Sequence, residues 1–140
     1  MLEEHGRLRA LQDGEKVFAQ GEPGNEMYIV RSGMVEIYRV RDGREIPLTN
    51  LGEGEFFGEM ALFDESPRSA SARAKGDTEL QVIDKDTFSS FITEPIVWTI
   101  LENMGKRIRQ VDDKIEELSV QDQVRKEHLS SLSTQRRWFL

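Results

Sequence analysis

Cysteine is missing altogether, and histidine occurs only twice, at His5 and His128. The first absence excludes disulfides and thiolate metal sites. The second leaves too few imidazoles for the His-and-carboxylate clusters with which barrel metalloenzymes hold a metal on their strands. No apolar run reaches the roughly 18 residues of a membrane span, and no charged-then-apolar leader opens the chain. A cytoplasmic protein that does not bind membrane is expected. There is no nucleophile–base constellation and no Gly-rich P-loop, so an enzyme is not expected. No surplus of positive charge is found either, in a chain with 26 acidic and 19 basic side chains. A phosphate-backbone binder needs that surplus, so nucleic acid is not expected as a direct partner.

What is present divides the chain. Its 140 residues suffice for one domain with a real core. Residues 1–92 carry 18 acidic against 11 basic side chains, and residues 93–140 carry 8 of each. Nine of the eleven glycines fall between Gly14 and Gly76. Between them run short alternating segments, from "MYIVRSGMVEIYRV" through "SASARA" to "ELQVID". Asp42-Gly43 is a strong hairpin signal, because such a turn needs positive φ at its centre, and Ser32-Gly33 is a weaker one. This spacing predicts an antiparallel sandwich or barrel of the jelly-roll kind, mainly β with α, over residues 1–92. "DKDTFSSFI" predicts a short hinge helix, and Pro95 suits the first turn of another. A long helix is expected over 93–118, with Ile108, Val111, Ile115 and Leu118 in one apolar stripe. Asp122 and Arg125 then interrupt that seam before Leu129 and Leu132, so a break is expected near Ser119. Residues 119–140 read as a helical or partly disordered tail, ending in the apolar "WFL" after Arg136 and Arg137.

One segment carries chemistry. In "FFGEMALFDESPRSAS", Gly58-Glu59 stands nine residues before Arg68. If a strand already runs straight at Arg68, then Arg68, Ala70, Ala72 and Ala74 share a face. That row of small side chains leaves room for a ligand, or for a core aromatic such as Phe56 or Phe57. "GEMALF" predicts one turn of helix, including Met60 and Ala61, whose N-terminal N–H groups favour an anion. A guanidinium gives a phosphate a forked, permanent contact. A carboxylate suits a sugar hydroxyl. On this chemistry alone a small nucleotide and a structural Glu59–Arg68 salt bridge stand side by side.

"GEKVFAQGEPGNEMYIVRSGMVEIYR", "LGEGEFFGEMALFDESPRSASARA" and "ELQVIDKDTF" resemble the cyclic-nucleotide-binding domain of catabolite activators, protein kinase A regulatory subunits and gated channels. The likeness covers about Gly14 to Arg109, and its F-G-E-x-A-L…P-R-S-A core is highly specific. It implies a β-roll with a phosphate-binding cassette, closed by two helices. Glu59 would bind the ribose 2′-hydroxyl, Arg68 the cyclic phosphate, and Gly58 with the N–H groups of Glu59, Met60 and Ala61 the ribose-phosphate. Ser69 would touch the phosphate or a guanine amino group, or face solvent. Gly21, Gly33 and Gly52 match turn glycines. Arg107, Val111 and Asp112 are candidates to cap the base from the long helix.

The family's N-terminal helical segment is reduced here to "MLEEHGRLRALQD". No segment long enough for a helix-turn-helix follows Leu132. A sensing module without its output is therefore expected, one that binds cAMP, with cGMP as the alternative, and needs no cofactor or metal. The apolar stripe on the long helix predicts a homodimer through that helix. A non-binding scaffold of the same fold is the remaining alternative, and the effector protein is not identified.

Overall fold

A computed structural model describes residues 5–64 and 66–121, with the backbone alone for Asp112 and 115–121. The side chains of Asp112, Ile115 and Leu118, and everything in the 122–140 tail, lie outside the described residues. Eight strands form two antiparallel sheets. The first orders β1 (Arg7–Leu11), β8 (Thr78–Asp84), β3 (Glu26–Ser32) and β6 (Phe56–Phe57). The second orders β2 (Lys16–Phe18), β7 (Ser71–Ala74), β4 (Val35–Arg41) and β5 (Arg44–Leu51). Three helices are found among the described residues: α1 (Met60–Phe63), α2 (Lys85–Ser89) and α3 (Pro95–Gln121). This is the β-roll with C-terminal helices that the resemblance implies.

Period-2 alternation sorts the side chains. Tyr28 and Val30 of β3, Val35 and Ile37 of β4, and Leu80 and Val82 of β8 point between the sheets and are buried there. Met27 and Ile29 point the other way, joining Ile83, Leu62, Phe63 and Phe88 in a smaller cluster under the helices. The helices thus cover the outer face of the first sheet.

The Asp42-Gly43 hairpin forms as expected, with φ of 54° and 74° at its centre and Arg41 opposite Arg44. Ser32-Gly33 does not make a hairpin, because β3 and β4 belong to different sheets. The turn instead carries the chain across the roll. A Cβ on Gly33 would stand 2.4 Å from the Asp77 carbonyl oxygen, so only glycine lets the two loops meet. The described part of the N-terminal segment forms a strand: β1 pairs along β8, Arg7 opposite Val82 to Leu11 opposite Thr78.

The Asp84 carboxylate caps α2 by accepting from the Thr87 N–H at 2.7 Å. Pro95 opens α3, where its missing N–H costs nothing. The helix is continuous through Ser119 to Gln121, past the place where a break is expected. Among the described residues no helix is long and apolar enough to cross a membrane, and no group of acidic or imidazole side chains is placed to hold a metal.

Candidate ligand site at the cassette

The segment from Gly58 to Ala70 leaves β6, makes the single turn α1 and returns as β7. β7 begins only at Ser71, so Arg68 is not part of a straight strand. Its backbone is pinned by two bonds. The Arg68 N–H donates to the Glu22 carbonyl at 2.8 Å, and its carbonyl accepts from Gly21 at 2.9 Å. The alanines that follow are core. Ala70, Ala72 and Ala74 pack with Phe18, Tyr28 and Phe57 between the sheets, so an aromatic, Phe57, fills the room they leave. Phe56 turns outward.

The Arg68 side chain is buried. Nη1 donates to the Gly58 carbonyl and Nη2 to the Glu26 carbonyl, both at 2.9 Å. The guanidinium carbon lies 4.1 Å above the centre of the Phe18 ring, a cation–π contact. Nε has no partner. Two glycines make this pose feasible. A Cβ on Gly24 would stand 2.4 Å from Nε, and one on Gly58 2.9 Å from Nη1. Gly58 also has φ of 77°, which side-chain-bearing residues rarely adopt. Burial pulls the guanidinium below its ordinary pKa range, and neighbouring Tyr28 and Glu26 offset part of that.

Glu59 sits at the start of α1 but makes no capping bond with its side chain. Its Oε2 is buried without a partner. Burial pushes the carboxyl up to about 7, against the smaller opposing pull of its own N–H and of Arg68. Glu59 and Arg68 form no ion pair among the described residues. The two ends of the cassette therefore hold one carboxylate oxygen and one guanidinium nitrogen that nothing among the described residues satisfies, an expensive arrangement for a fold to keep.

α3 lies across the cassette. A Cβ on its Gly105 would be 3.0 Å from Phe63 Cβ, so the lone helix glycine marks a close crossing. Arg109 Nε donates to Asp64 Oδ2 at 2.7 Å and Nη1 to the Pro67 carbonyl at 3.1 Å. Phe63 touches Phe88 of α2 at 5.6 Å and Trp98 of α3 at 5.9 Å between ring centres.

Two spaces flank the cassette. One, of only about 10 Å³, is bounded by Ala61, Ser66, Arg68, Ser69 and Arg109. The other is a cleft of about 710 Å³ between the outer face of the first sheet and α3, and Glu59 lines it. Met60 borders both. The base-capping candidates Arg107 and Val111 are exposed and line neither space. The α3 side chains that face the cleft are Leu101, Met104 and Ile108. Sequence reasoning missed Gly24, Phe18, Asp64 and Arg109. Gly24 had a signal, as one more glycine in "GEPGNE". Arg109 had none, since its partner Asp64 is 45 residues away.

Comparison with known proteins gives the same picture. The family described as "Cyclic nucleotide-binding domain" matches residues 8–94. The CRP-like cAMP-activated global transcriptional regulator of Mycobacterium tuberculosis is 37% identical over 112 residues, 78% of this chain and 50% of that protein. The catabolite activator protein of Thermus thermophilus superposes with TM-score 0.64 and 36% identity, over 81% of this chain and 55% of that one. The EAL enzyme Bd1971 matches in its cAMP-bound form, with TM-score 0.64, 37% identity and coverage of 82% and 32%. Its cGMP-bound form matches with TM-score 0.63, 31% identity and coverage of 79% and 34%. The chain spans about half the length of the curated regulator. With the family motif, the roll and the cassette all in place, the chain belongs to the cyclic nucleotide-binding domain family.

Proposed function

We propose that this domain senses cAMP, taking the cyclic phosphate on Arg68 and the ribose 2′-hydroxyl on Glu59. The observation that carries the reading is the pair of unsatisfied buried groups, Arg68 Nε and Glu59 Oε2, at the two ends of one short cassette. A cyclic phosphate and its neighbouring hydroxyl supply one partner to each. Gly58, Met60, Ala61 and Ser69 surround that ligand. The space beside Ser69 is only about 10 Å³ here, far below the 300 Å³ or more of a typical small-molecule site. Entry therefore requires the cassette and α3 to part, and Arg109 to change its partners. This is the route by which binding reaches the helix. cGMP is the second reading, because Ser69 offers its hydroxyl at the same space.

α3 exposes Val97 (41%) and Val111 (57%), which stand two seven-residue intervals apart and line neither space. Seven-residue spacing suits a parallel two-helix contact, which supports a homodimer through α3. Base capping by Arg107, Val111 or Asp112 then requires α3 to turn on binding, and the domain hands its state to an effector protein rather than to nucleic acid. Calorimetric titration with cAMP and cGMP tests the ligand: saturable cAMP binding, tighter than cGMP, is expected. A tenfold preference for cGMP reverses the choice, and no binding of either removes the reading. Sedimentation tests the dimer, with Ile115→Asp and Leu118→Asp expected to give monomers that still bind ligand.

A further inference from the structure

Asp64 follows α1 directly, and its side chain is only 3% exposed. Both of its oxygens are committed. Oδ1 accepts from the Ser66 N–H at 3.2 Å, and Oδ2 accepts from Arg109 Nε at 2.7 Å. Arg109 is itself largely buried, and its Nη1 reaches on to the carbonyl of Pro67, the residue before Arg68. One side chain of α3 thus grips the cassette at Asp64 and again at Pro67. Gly105 stands one helical turn earlier on the same face of α3. Its close crossing at Phe63 brings the helix near enough for Arg109 to meet the next residue, Asp64. Arg7–Glu26, with Arg7 60% exposed, is by contrast a surface pair, and such pairs hold little. A buried pair is costly to break. Arg109 also bounds, with Ser66, Arg68 and Ser69, the space of about 10 Å³ that is too small for a ligand. The contact that ties α3 to the cassette and the wall of the closed space are therefore one side chain.

We propose that Asp64 and Arg109 form an autoinhibitory latch, which holds α3 on the cassette with the space beside Arg68 closed and so sets how weakly the ligand binds. A domain whose binding-competent form is only a fraction of the whole has its affinity reduced by that fraction. The latch is the device that keeps the fraction small. Weakening it raises the open population and the affinity by the same factor. Its effect on affinity rests on the nucleotide reading above, whereas its hold on the cassette stands without that reading.

Asp64→Asn tests this. It keeps the shape of the side chain and an oxygen for the Ser66 N–H, and removes the charge that holds Arg109. Asp64→Asn with Arg109→Met removes both charges and leaves no buried ion without its partner, so it serves where the single variant folds poorly. Two measurements are made on the full chain. Amide hydrogen exchange without ligand compares Leu62 and Asp64, whose N–H groups bond within the cassette, with Leu80 and Val82 of β8. Calorimetry gives the affinity for cAMP. Both variants are expected to speed exchange in the cassette and to tighten cAMP binding by the same factor, roughly 5- to 150-fold, the usual range of such coupling. Exchange in β8 stays as in the parent. Arg7→Gln, which breaks the surface pair, changes neither reading more than about twofold. A contact that merely stabilises the fold would speed exchange in β8 as well and would not raise affinity. The latch is refuted if cassette exchange is unchanged in both variants. It is refuted equally if cAMP binds them no tighter than the parent, because the pair then holds the loaded form or neither. If the parent binds no cAMP, the nucleotide reading falls, and the exchange comparison alone upholds or refutes the latch.

Discussion

Between the two sheets, Phe18, Tyr28 and Phe57 stack with ring centres 5.1 to 6.0 Å apart and the three alanines fit beneath them. Beneath α3, Phe63, Phe88 and Trp98 also cluster, at 5.6 to 6.5 Å. Yet there they border a cleft that Glu59 also lines, and the Glu59 Oε2 has no partner among the described residues. Both regions are aromatic and both bury surface. The interior has its large and small side chains matched across the gap, as close packing requires. The region under the helix is held by one glycine crossing, one ion pair and a few rings. The roll therefore has the more evenly filled interior, while the region under α3 combines a close crossing at Gly105 with an open cleft.

Substitutions that treat the two regions alike should separate them. Phe57→Ala leaves a cavity between the sheets and should cost about 3–5 kcal/mol. Phe56→Ala, one residue away on the outer side, should stay within about 0.5 kcal/mol, as surface changes usually do. Denaturant titration of both checks the contrast, and equal losses would mean that the interior is not the better packed of the two.

Arg68→Ala acts on the boundary between the regions. It deprives the Gly58 and Glu26 carbonyls of their donors and, on the proposed reading, the nucleotide of its cation. Removing one partner of a buried charged contact costs about 2–5 kcal/mol, roughly 30- to 5,000-fold in cAMP affinity. Lysine should not restore it, because a single ammonium lacks the planar fork that spans both carbonyls. Calorimetry showing equal cAMP binding by the parent and Arg68→Ala would overturn the site.

Glu59 makes the same boundary sensitive to pH. Its carboxyl titrates near 4.5 when unfolded and at about 7 in the fold. The folded state thus holds an extra proton between those values. Its contribution to stability is complete below 4.5 and is lost as pH rises through 7. A hydroxyl donated by ligand favours the carboxylate, so binding expels that proton and cAMP affinity should rise with pH, by up to about tenfold between pH 6 and 8. Calorimetry in two buffers of different ionisation enthalpy would show proton release. Glu59→Gln should flatten both profiles, and a flat parent profile would place the carboxylate in water.

The strands and the cassette turn were legible because each leaves a local mark, alternation with Asp42-Gly43 for the strands and a glycine before "EMALF" for the turn, whereas the Glu59–Arg68 salt bridge that the same segment allowed does not form among the described residues. The alanine row was legible as a place with spare volume but not as to its occupant, since Phe57 and a ligand satisfy the same pattern. Ser32-Gly33 misled because a turn residue specifies local φ, not which sheet the next strand joins. Arg109 with Asp64, and Gly24 under Arg68, are contacts between distant segments, fixed only when the roll closes.

The smallest expected effect lies at Gly105. Two terms oppose each other there. Alanine is favoured over glycine inside a helix by roughly 0.5–1 kcal/mol. Against this, the added Cβ would stand 3.0 Å from Phe63 Cβ, too close by a few tenths of an ångström for an ordinary carbon contact. Phe63 Cβ is fixed by its backbone, so α3 or the single turn α1 must shift. A shift of that size stretches the Arg109–Asp64 bond from 2.7 Å but keeps it within hydrogen-bond range. Gly105→Ala should therefore change stability by less than about 1 kcal/mol, while altering Trp98 emission through the Phe63–Trp98 contact. Gly105→Leu has no such escape: its side chain has to displace Phe63 or lift α3 from the cassette, and it should lower the melting temperature clearly below that of the alanine variant. Equal melting temperatures for the two variants would show that α3 does not rest on the cassette, and the contrast between a tight roll and a helix seated on it would fail at that contact.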